Sequence, residues 1–244
     1  MIKALLARLK QGYRTMDFPA ADLRLPPRGL GRPELSGRLE KAAAACPYSA
    51  ITAGADPVLD LGKCVFCGAC AAADPAGVSF TRDHRLCSSR REDLAVKGSV
   101  LKRADALGTE LRGIFGRSFR LRQVSAGGCN ACEADCNVLG TPAWDMGRFG
   151  IQFVASPRHA DGILVTGPVT KNMELALRKT YDAVSSPKVV IACGACAIGG
   201  GPYAGHDECV GIPKDIPVDL YIPGCPPHPM TILDGLLRLL GRID

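Results

Sequence analysis

The chain has 244 residues, of which 47% are hydrophobic and 22% charged, so it is long enough for one or two domains with a buried core and too apolar for a disordered protein. It carries 30 lysines and arginines against 24 aspartates and glutamates, a formal net charge of +6. The basic residues are dispersed and only 5% of the residues are aromatic, which argues against a nucleic-acid surface. Docking beside a membrane complex or an acidic partner fits this charge better.

The positive charge is concentrated in the first half, because residues 1–120 carry a net charge of +8 and residues 121–244 one of −2. The chain has twelve cysteines, a number that would indicate disulfides only if the protein were small and secreted. The sequence shows no signal peptide, no twin-arginine motif and no apolar run of about 18 residues. We therefore expect a cytoplasmic protein that keeps its thiols reduced and does not cross a membrane itself.

The first predicted element is an amphipathic helix from Met1 to Arg14. Its apolar residues recur at helical spacing and most of its basic residues lie off that face; the apolar ones are Ile2, Leu5, Leu6, Leu9 and Tyr13, and the basic ones Lys3, Arg8, Lys10 and Arg14. The pattern is typical of a helix at a membrane interface, and a helix packed on a partner subunit would show it too. The stretch from Phe18 to Pro33, rich in proline, glycine and arginine, predicts an extended arm that completes a first segment, 1–33.

Residues 34–95 contain the first set of four cysteines. The set combines a C-x2-C-x2-C run with a cysteine that precedes proline, as in the ferredoxin pattern C-x2-C-x2-C-x3-C-P; its members are Cys46, Cys64, Cys67 and Cys70. A two-cluster ferredoxin has four further cysteines, all of which bind its second cluster. The corresponding positions in this chain hold Ser36, Leu39, Ala42 and Asp74. The pattern predicts a ferredoxin-like α+β domain with one [4Fe–4S] site. A structural zinc site is the alternative, because C-x2-C pairs also bind zinc.

Residues 96–116 are charged and have a helical pattern, which predicts a connector to a last segment, 117–244. In that segment apolar strand-like runs alternate with helical stretches; the runs are 150–155, 162–165, 188–192 and 218–222, and the helices are 172–184 and 230–240. Such alternation predicts an α/β domain with a parallel sheet and crossover helices, as in flavodoxin-like folds.

The second set of four cysteines lies in this last segment, in loops shaped by glycine or proline. Cys129 and Cys132 follow the turn Ser-Ala-Gly-Gly, Cys196 follows one strand-like run, and Cys225 follows another within Pro-Gly-Cys-Pro-Pro. Glycine lets the backbone approach inorganic sulfide, and loops at the carboxyl ends of strands are where α/β sheets bind ligands. The set predicts a second [4Fe–4S] site.

Four cysteines lie outside both sets: Cys87, Cys136, Cys193 and Cys209. Cys193 forms a C-x2-C pair with Cys196, but it belongs to an apolar run, where a buried thiol is ordinary. Cys136 follows the second motif by one helical turn, so we expect it to pack in the core.

The acidic and imidazole side chains near the second set have two interpretations. Glu133 and Asp135 are expected to be solvated charges at the start of a helix, and a proton relay is the alternative. His206 and His228 are candidate ligands or proton carriers, and His228 is expected to line the pocket of the second set or a subunit interface. The sequence shows no group of residues typical of an active site that forms or breaks covalent bonds, so no catalytic residue is assigned.

The second set and its flanks, over residues 114–241, resemble the family of [NiFe]-hydrogenase small subunits and the 20-kDa subunit of respiratory complex I. The resemblance is closest to membrane-bound, energy-converting hydrogenases of the formate hydrogenlyase type, with similar stretches at Phe115-Gly-Arg-Ser-Phe and Phe153-Val-Ala-Ser-Pro-Arg-His-Ala. In complex I the first two ligands are adjacent cysteines, whereas Cys129 and Cys132 are spaced as in hydrogenases. The family has an acidic residue three positions after the second ligand, and Asp135 occupies that position.

The resemblance implies an oxidoreductase component that carries electrons through two [4Fe–4S] clusters to or from a catalytic large subunit, which would hold the nickel–iron site. The amino-terminal part resembles the ferredoxin-like subunit of the same complexes, so the chain looks like a fusion of two subunits. Expected partners are the large subunit, other subunits of a membrane-bound complex and an electron donor or acceptor protein, at the cytoplasmic face of the inner membrane. The alternatives are the equivalent subunit of a complex I-like quinone reductase and a zinc-stabilised binding protein without redox function.

Overall fold

The computed structural model describes residues 2–243. Met1, at which the predicted first helix begins, and Asp244 lie outside the described residues. The first half contains α1 (Ile2–Gln11), β1 (Pro33–Leu35), α2 (Glu40–Ala44), β2 (Ile51–Thr52), β3 (Val58–Asp60), α3 (Ala69–Ala73), β4 (Val78–Phe80) and β5 (Ala95–Val96). The second half contains α4 (Thr109–Phe115), β6 (Phe119–Ser125), α5 (Ala131–Val138), β7 (Ile151–Phe153), β8 (Gly162–Thr166), α6 (Lys171–Ala183), β9 (Val189–Cys193), α7 (Ala195–Gly199), β10 (Leu220–Ile222) and α8 (Pro229–Leu239).

The cysteine-rich part of the first half forms two small antiparallel sheets. In one, β1 pairs with β4, and in the other β3 pairs with both β2 and β5. Buried aliphatic side chains give this part a core of its own, to which Leu59, Leu61, Leu94 and Val96 belong. Strands of two or three residues do not by themselves identify a ferredoxin-like fold. That assignment stays a prediction, as do the boundaries of the four segments.

The second half is built on one sheet of five parallel strands in the order β7-β6-β8-β9-β10. Numbered from β6, this order is 2-1-3-4-5, the order of flavodoxin-like sheets. β8 and β9 are buried along their whole length, as strands are when both faces of a sheet are covered. The predicted α/β class is confirmed, and β7 to β10, α6 and α8 end within two residues of the predicted runs.

The sequence patterns miss the longest strand, β6, which lies between β7 and β8. Its sequence, Phe-Arg-Leu-Arg-Gln-Val-Ser, places arginines between the apolar residues, so it lacks the continuous apolar run that identifies its neighbours. Phe119 and Leu121 are nevertheless fully buried on the core face. The predicted helical connector is also mostly wrong, because only α4 is helical within it. None of the helices formed by residues 2–243 has the length and apolar content needed to cross a bilayer.

The two halves share a core. Phe18, Cys87 and Ala104 pack into the apolar cluster that contains the sheet and α8. Ser88 and Tyr221 exchange two backbone hydrogen bonds, of 3.2 and 2.9 Å, and so extend the outer edge of β10. The first half therefore covers one edge of the parallel sheet instead of standing apart from it.

Helix α8 buries an ion pair in this shared core. Arg238 Nε lies 2.9 Å from Asp234 Oδ2, and the two side chains are only 5% and 3% exposed. Burial raises the pKa of Asp234, and the hydrogen bond from Arg238 opposes that shift. Burial also lowers the pKa of the adjacent His84, whose Nδ1 has no hydrogen-bond partner within residues 2–243.

We predict that Asp234→Asn lowers the free energy of unfolding by about 3–5 kcal/mol, because it leaves the buried Arg238 guanidinium without its counter-charge. The matched control is Asp22→Asn, since Asp22 pairs with Arg24 at the surface, where the side chains are 71% and 66% exposed. Asp22→Asn should lower the free energy of unfolding by less than about 1 kcal/mol. Anaerobic urea unfolding measures the free energy of unfolding of both variants. Equal losses in the two variants would contradict a larger contribution of the buried pair to stability.

Candidate metal centres

The first set of thiols lies between α2 and α3. Cys46 follows the end of α2, Cys64 and Cys67 lie in the loop after β3, and Cys70 lies in α3. In that loop Phe66 has φ 56° and Gly68 has φ 77°, left-handed values that turn the chain tightly between the three cysteines. The thiol of Cys67 is exposed, whereas those of Cys64 and Cys70 are buried.

Backbone N–H groups that donate to a cysteine sulfur favour its thiolate form, whereas burial disfavours that form. The N–H of Phe66 donates to Cys64 Sγ over 3.3 Å, and the N–H of Ala50 donates to Cys46 Sγ over 3.4 Å. Burial, reinforced by the nearby charges of the other three thiolates, raises the pKa of Cys64 to about 12, although the Phe66 N–H opposes the shift. The four thiols thus lie within electrostatic range of one another, and their joint ionisation requires a cation among them.

The second set lies at the carboxyl edge of the parallel sheet. Cys129 follows β6 and Cys132 lies in the first turn of α5, whereas Cys196 lies in α7 directly after β9, and Cys225 follows β10. Strands that run parallel end at the same edge, so residues far apart in sequence meet there. The loop with Cys129 also stands at the point where the strand order reverses, between β6 and β8, which is the usual ligand crevice of such sheets.

Glycines leave room for the sulfurs of the second set. A Cβ at Gly194 would lie 2.5 Å from Cys132 Sγ, and one at Gly201 would lie 2.9 Å from Cys196 Sγ. At the strand-order reversal, a Cβ at Gly167 would lie 2.5 Å from the backbone nitrogen of Gly128. A side chain at Gly194 or Gly201 would therefore displace a sulfur of the set, and one at Gly167 would push the backbone segments of the crevice apart.

The electrostatics of the second set repeat those of the first. Burial, together with the charges of Cys225 and Cys129, raises the pKa of Cys196 to about 11. Burial is also the main cause that raises the pKa of Cys132, with Glu133 as the next cause, and it raises the pKa of Cys225. Four thiols again lie within electrostatic range in a place where ionisation is unfavourable without a cation.

Within residues 2–243, no three side chains of His, Cys, Asp or Glu converge closely enough to hold a single metal ion. In a [4Fe–4S] group each thiolate binds a different iron, so its thiols surround a volume instead of a point. Each set offers four thiols, exposed backbone or glycine surfaces beside the sulfurs, and partial burial. These features fit the donor types and the close backbone approach that such a group requires.

Glu133 is buried beside the second set, so the expectation of a solvated charge is wrong for it. It is 5% exposed, and Oε1 accepts hydrogen bonds from Ser125 Oγ at 2.6 Å and from Thr166 Oγ1 at 2.7 Å. Although burial opposes its ionisation, these two donors hold the pKa of Glu133 below its usual value. The register of the sheet sets Ser125 of β6 opposite Thr166 of β8, a pairing that no local sequence signal reveals.

Asp135 is half-buried, and burial raises its pKa. It lines a cavity of about 320 Å³ together with His228 and the loop that follows Cys225. His228 Nδ1 accepts a hydrogen bond of 3.2 Å from the Met230 N–H and so caps α8. His206 is exposed on a loop.

The four cysteines outside the sets fall into two groups. Cys87, Cys136 and Cys193 are buried in the core, and a hydrogen bond with Cys136, with burial, raises the pKa of Cys193 well above its usual value. Cys209 is half-buried on the loop beyond α7 and lies near Cys196. The expected burial of Cys136 and Cys193 is thus what the structure shows.

The segments that carry the two sets of thiols touch where the halves of the chain meet. A Cβ at Gly199, three residues after Cys196, would lie 2.6 Å from the backbone oxygen of Gly62, two residues before Cys64. Ile198 packs against the core of the first half. Helix α7, which carries Cys196, is therefore in van der Waals contact with the loop that carries Cys64 and Cys67.

Arg91 lies beside this contact, since a Cβ at Gly199 would lie 3.9 Å from Arg91 Nη2. Its guanidinium makes two hydrogen bonds to the Asp60 carboxylate, of 2.7 and 2.8 Å. A Cβ at Gly62 would lie 2.5 Å from Arg91 Cζ, so the guanidinium packs flat against the backbone just before the first set. The ion pair is partly exposed, with side chains 33% and 24% accessible.

Comparison with known proteins identifies relatives of this chain. The family model described as "NADH ubiquinone oxidoreductase, 20 Kd subunit" matches residues 129–239. The chain is 40% identical over 147 residues to "Probable membrane-bound hydrogenase subunit mbhJ" of Pyrococcus furiosus, which covers 59% of this chain and 87% of that protein. It is 44% identical over 131 residues to formate hydrogenlyase subunit 7 of Escherichia coli, 52% of this chain and 51% of that one. It is 44% identical over 116 residues to an NADH-quinone oxidoreductase subunit of Citrifermentans bemidjiense, 48% of this chain and 68% of that one.

We predict that Gly194→Ala disrupts metal binding at the second set only, because the added methyl group would collide with Cys132 Sγ. The matched control is Gly205→Ala, since Gly205 has a similar positive φ, 82° against 92°, but open space around it. Iron analysis after anaerobic reconstitution measures the effect. Gly194→Ala should lose about half of the iron bound by the unaltered chain, and equal iron in both variants would contradict a close fit at Gly194.

Proposed function

Because the chain belongs to the family of the 20-kDa subunit of NADH:ubiquinone oxidoreductase, we propose that it is the electron-transfer subunit of a membrane-associated, energy-converting [NiFe]-hydrogenase of the formate hydrogenlyase type. Its relatives are subunits of hydrogenase, formate hydrogenlyase and NADH-quinone oxidoreductase complexes, so it is an oxidoreductase component with partner subunits in a membrane complex. The nickel–iron site belongs on a separate large subunit, and no catalytic residue is assigned to this chain.

In this proposal two [4Fe–4S] clusters are held by the two sets of thiols, Cys46, Cys64, Cys67 and Cys70 for the first, and Cys129, Cys132, Cys196 and Cys225 for the second. When bound, each such group accepts and donates one electron. The chain supplies thiolate ligands, N–H donors such as that of Phe66, and burial, which are the means by which a protein tunes such a group.

The observation that carries the proposal is the backbone contact between Gly62, just before Cys64, and Gly199, at the end of the helix that carries Cys196. Two one-electron sites on adjacent segments form a path, whereas two isolated structural sites need no such contact. On the first-set side, the Asp60 carboxylate accepts from the Gly62 N–H over 2.8 Å and pairs with Arg91, so the backbone at this contact is fixed. The path would run from the first set, with Cys67 exposed, to the second set at the sheet edge.

We infer the order of partners along this path from the family resemblance and from charge. The large subunit would dock over the second set, and the first set would face the electron donor or acceptor protein. The net charge of +8 over residues 1–120 favours an acidic donor, and their encounter should weaken as salt rises. The complex would lie at the cytoplasmic face of the inner membrane. A proton relay through Asp135 and His228 belongs to the same proposal, since both line one cavity beside Cys225.

Two other functions are distinguished by simple observations. A complex I-like quinone reductase is the second candidate, because the identity to the NADH-quinone oxidoreductase subunit equals the 44% identity to formate hydrogenlyase subunit 7. The spacing of Cys129 and Cys132 favours a hydrogenase. Identifying the copurifying large subunit decides between them, because only a hydrogenase large subunit carries nickel-binding cysteine pairs. A zinc-stabilised protein without redox function would be colourless, whereas an iron–sulfur protein is brown.

We predict about eight irons per chain after anaerobic reconstitution, because two complete sets of four thiols hold two four-iron groups. Iron and sulfide analysis checks the number. A value of about four would mean that one set binds no cluster, and a value of about twelve would mean that further cysteines bind a third.

We predict that Cys67→Ser removes the spectroscopic signal of the first site and leaves that of the second, because the two sets share no thiol. The control is Cys209→Ser, which should keep both signals, since Cys209 belongs to neither set. In the assembled complex, Cys67→Ser should abolish hydrogen evolution from the physiological donor but allow reduction of the second site by a small dye. Undiminished turnover with the physiological donor would remove the first site from the electron path.

A further inference from the structure

Helix α1 is the most exposed apolar part of the structure. Ten large apolar side chains are exposed among residues 2–243, and five of them lie in the first 13 residues, with exposed fractions of 58% to 88%: Ile2, Leu5, Leu6, Leu9 and Tyr13. No residue of α1 is buried. The contacts of Arg8 are local, with Gly12 O at 2.6 Å and with the Tyr13 ring at 3.5 Å. The described chain therefore leaves the apolar face of α1 uncovered.

The cations of α1 flank its apolar stripe. At about 100° per residue, Ile2, Leu5, Leu6 and Leu9 share one face. Lys3 and Lys10 then lie at one border of this face and Arg8 at the other, each roughly a quarter of a turn or slightly more from its centre. The opposite face carries only small or neutral residues, Ala4, Ala7 and Gln11. Cations at both borders of an apolar stripe are placed to reach anionic groups while the stripe enters an apolar layer.

The charge around α1 has one sign only. The first 16 residues contain four basic residues and no aspartate or glutamate, and the first acidic residue is Asp17. Two copies of this helix would therefore repel each other, which argues against a dimer through this face. A neutral apolar groove of a partner protein would leave the flanking cations without partners.

The position of α1 restricts what it can reach. The chain is fixed to the body of the protein from Thr15 onward, where Thr15 Oγ1 donates to Pro142 O and the Met16 N–H donates to Ala143 O, both over 2.8 Å. Only Gly12 to Arg14 lie between this anchor and the helix, which gives a tether of roughly 10 Å. A surface bound by α1 must therefore lie next to the loop that follows α5.

We propose that α1 binds the surface of an anionic lipid bilayer, with its leucine and isoleucine face in the boundary between headgroups and acyl chains and its cations on the lipid phosphates. The helix is ten residues long, so it lies on the surface and does not span. An isolated helix of this length is marginal in water, and lipid binding supplies the missing contacts for its apolar face. This attachment is made by the chain itself, in addition to any attachment through partner subunits.

Cosedimentation of the full chain with vesicles tests the proposal. The chain should bind phosphatidylcholine vesicles that contain phosphatidylglycerol, and Leu9→Glu should weaken this binding at least about tenfold, because burial of one leucine contributes about that factor or more. The matched control is Leu175→Glu, whose side chain is 62% exposed on α6. Leu175→Glu should bind like the unaltered chain. Because both positions are exposed, neither variant should unfold, and circular dichroism checks this.

The charge requirement has its own pair of variants. Lys10→Glu should weaken binding by about fivefold or more, since each basic residue near an anionic surface contributes about that factor, and Lys179→Glu, on the surface of α6, should not. Added salt should weaken binding of the unaltered chain, and vesicles of phosphatidylcholine alone should bind it poorly.

Three results would overturn the proposal. The first is equal binding to neutral and anionic vesicles. The second is absence of vesicle binding together with loss of partner subunits from the Leu9→Glu complex, which would assign α1 to a protein groove. The third is a dimer of the isolated chain that Leu9→Glu abolishes, which would assign α1 to a second copy.

Discussion

The parallel direction of five strands is the constraint on which the second thiol set depends. Cys129, Cys196 and Cys225 follow β6, β9 and β10, and parallel strands end at one edge, so nearly a hundred residues of chain separate thiols that meet in space. The same constraint fixes Glu133, because the β6 and β8 register sets its two hydroxyl donors side by side. Loss of one of these three strands would thus displace a cysteine of the set and also remove buried apolar surface from the core.

Both thiol sets are unfavourable arrangements in the absence of a cation. Burial and mutual repulsion raise the pKa values of Cys64 and Cys196 to about 12 and 11, so four thiolates cannot coexist there without compensation. Binding of metal and loss of protons are therefore linked. The backbone prepares the sites in advance, through left-handed residues such as Phe66 and through glycines that admit the sulfurs. The fold therefore places the thiols near one another at an electrostatic cost, and metal binding then requires little rearrangement of the backbone.

Sequence patterns predict the parts of this structure that are locally encoded. The apolar runs of β8 and β9 and the periodicity of α6 and α8 are local signals, and so is the clustering of cysteines at motif spacing. The strand β6 is missed because arginines alternate with its buried residues. The burial of Glu133, the pair of Asp234 with Arg238 in an apolar helix, and the contact of Gly62 with Gly199 arise from tertiary packing, which no local window contains.

The shared core gives the two thiol sets a fixed separation. If they lay on separate subunits, the contact between their loops would depend on an association equilibrium and on protein concentration. On one chain the contact is intramolecular and is held by the paired backbones of Ser88 and Tyr221 and by the packing of Cys87 against α8. Gly235 of α8 matters here, since a Cβ at that position would lie 2.5 Å from Cys87 Sγ. The geometry between the two sites is therefore determined by the same core packing that stabilises the fold.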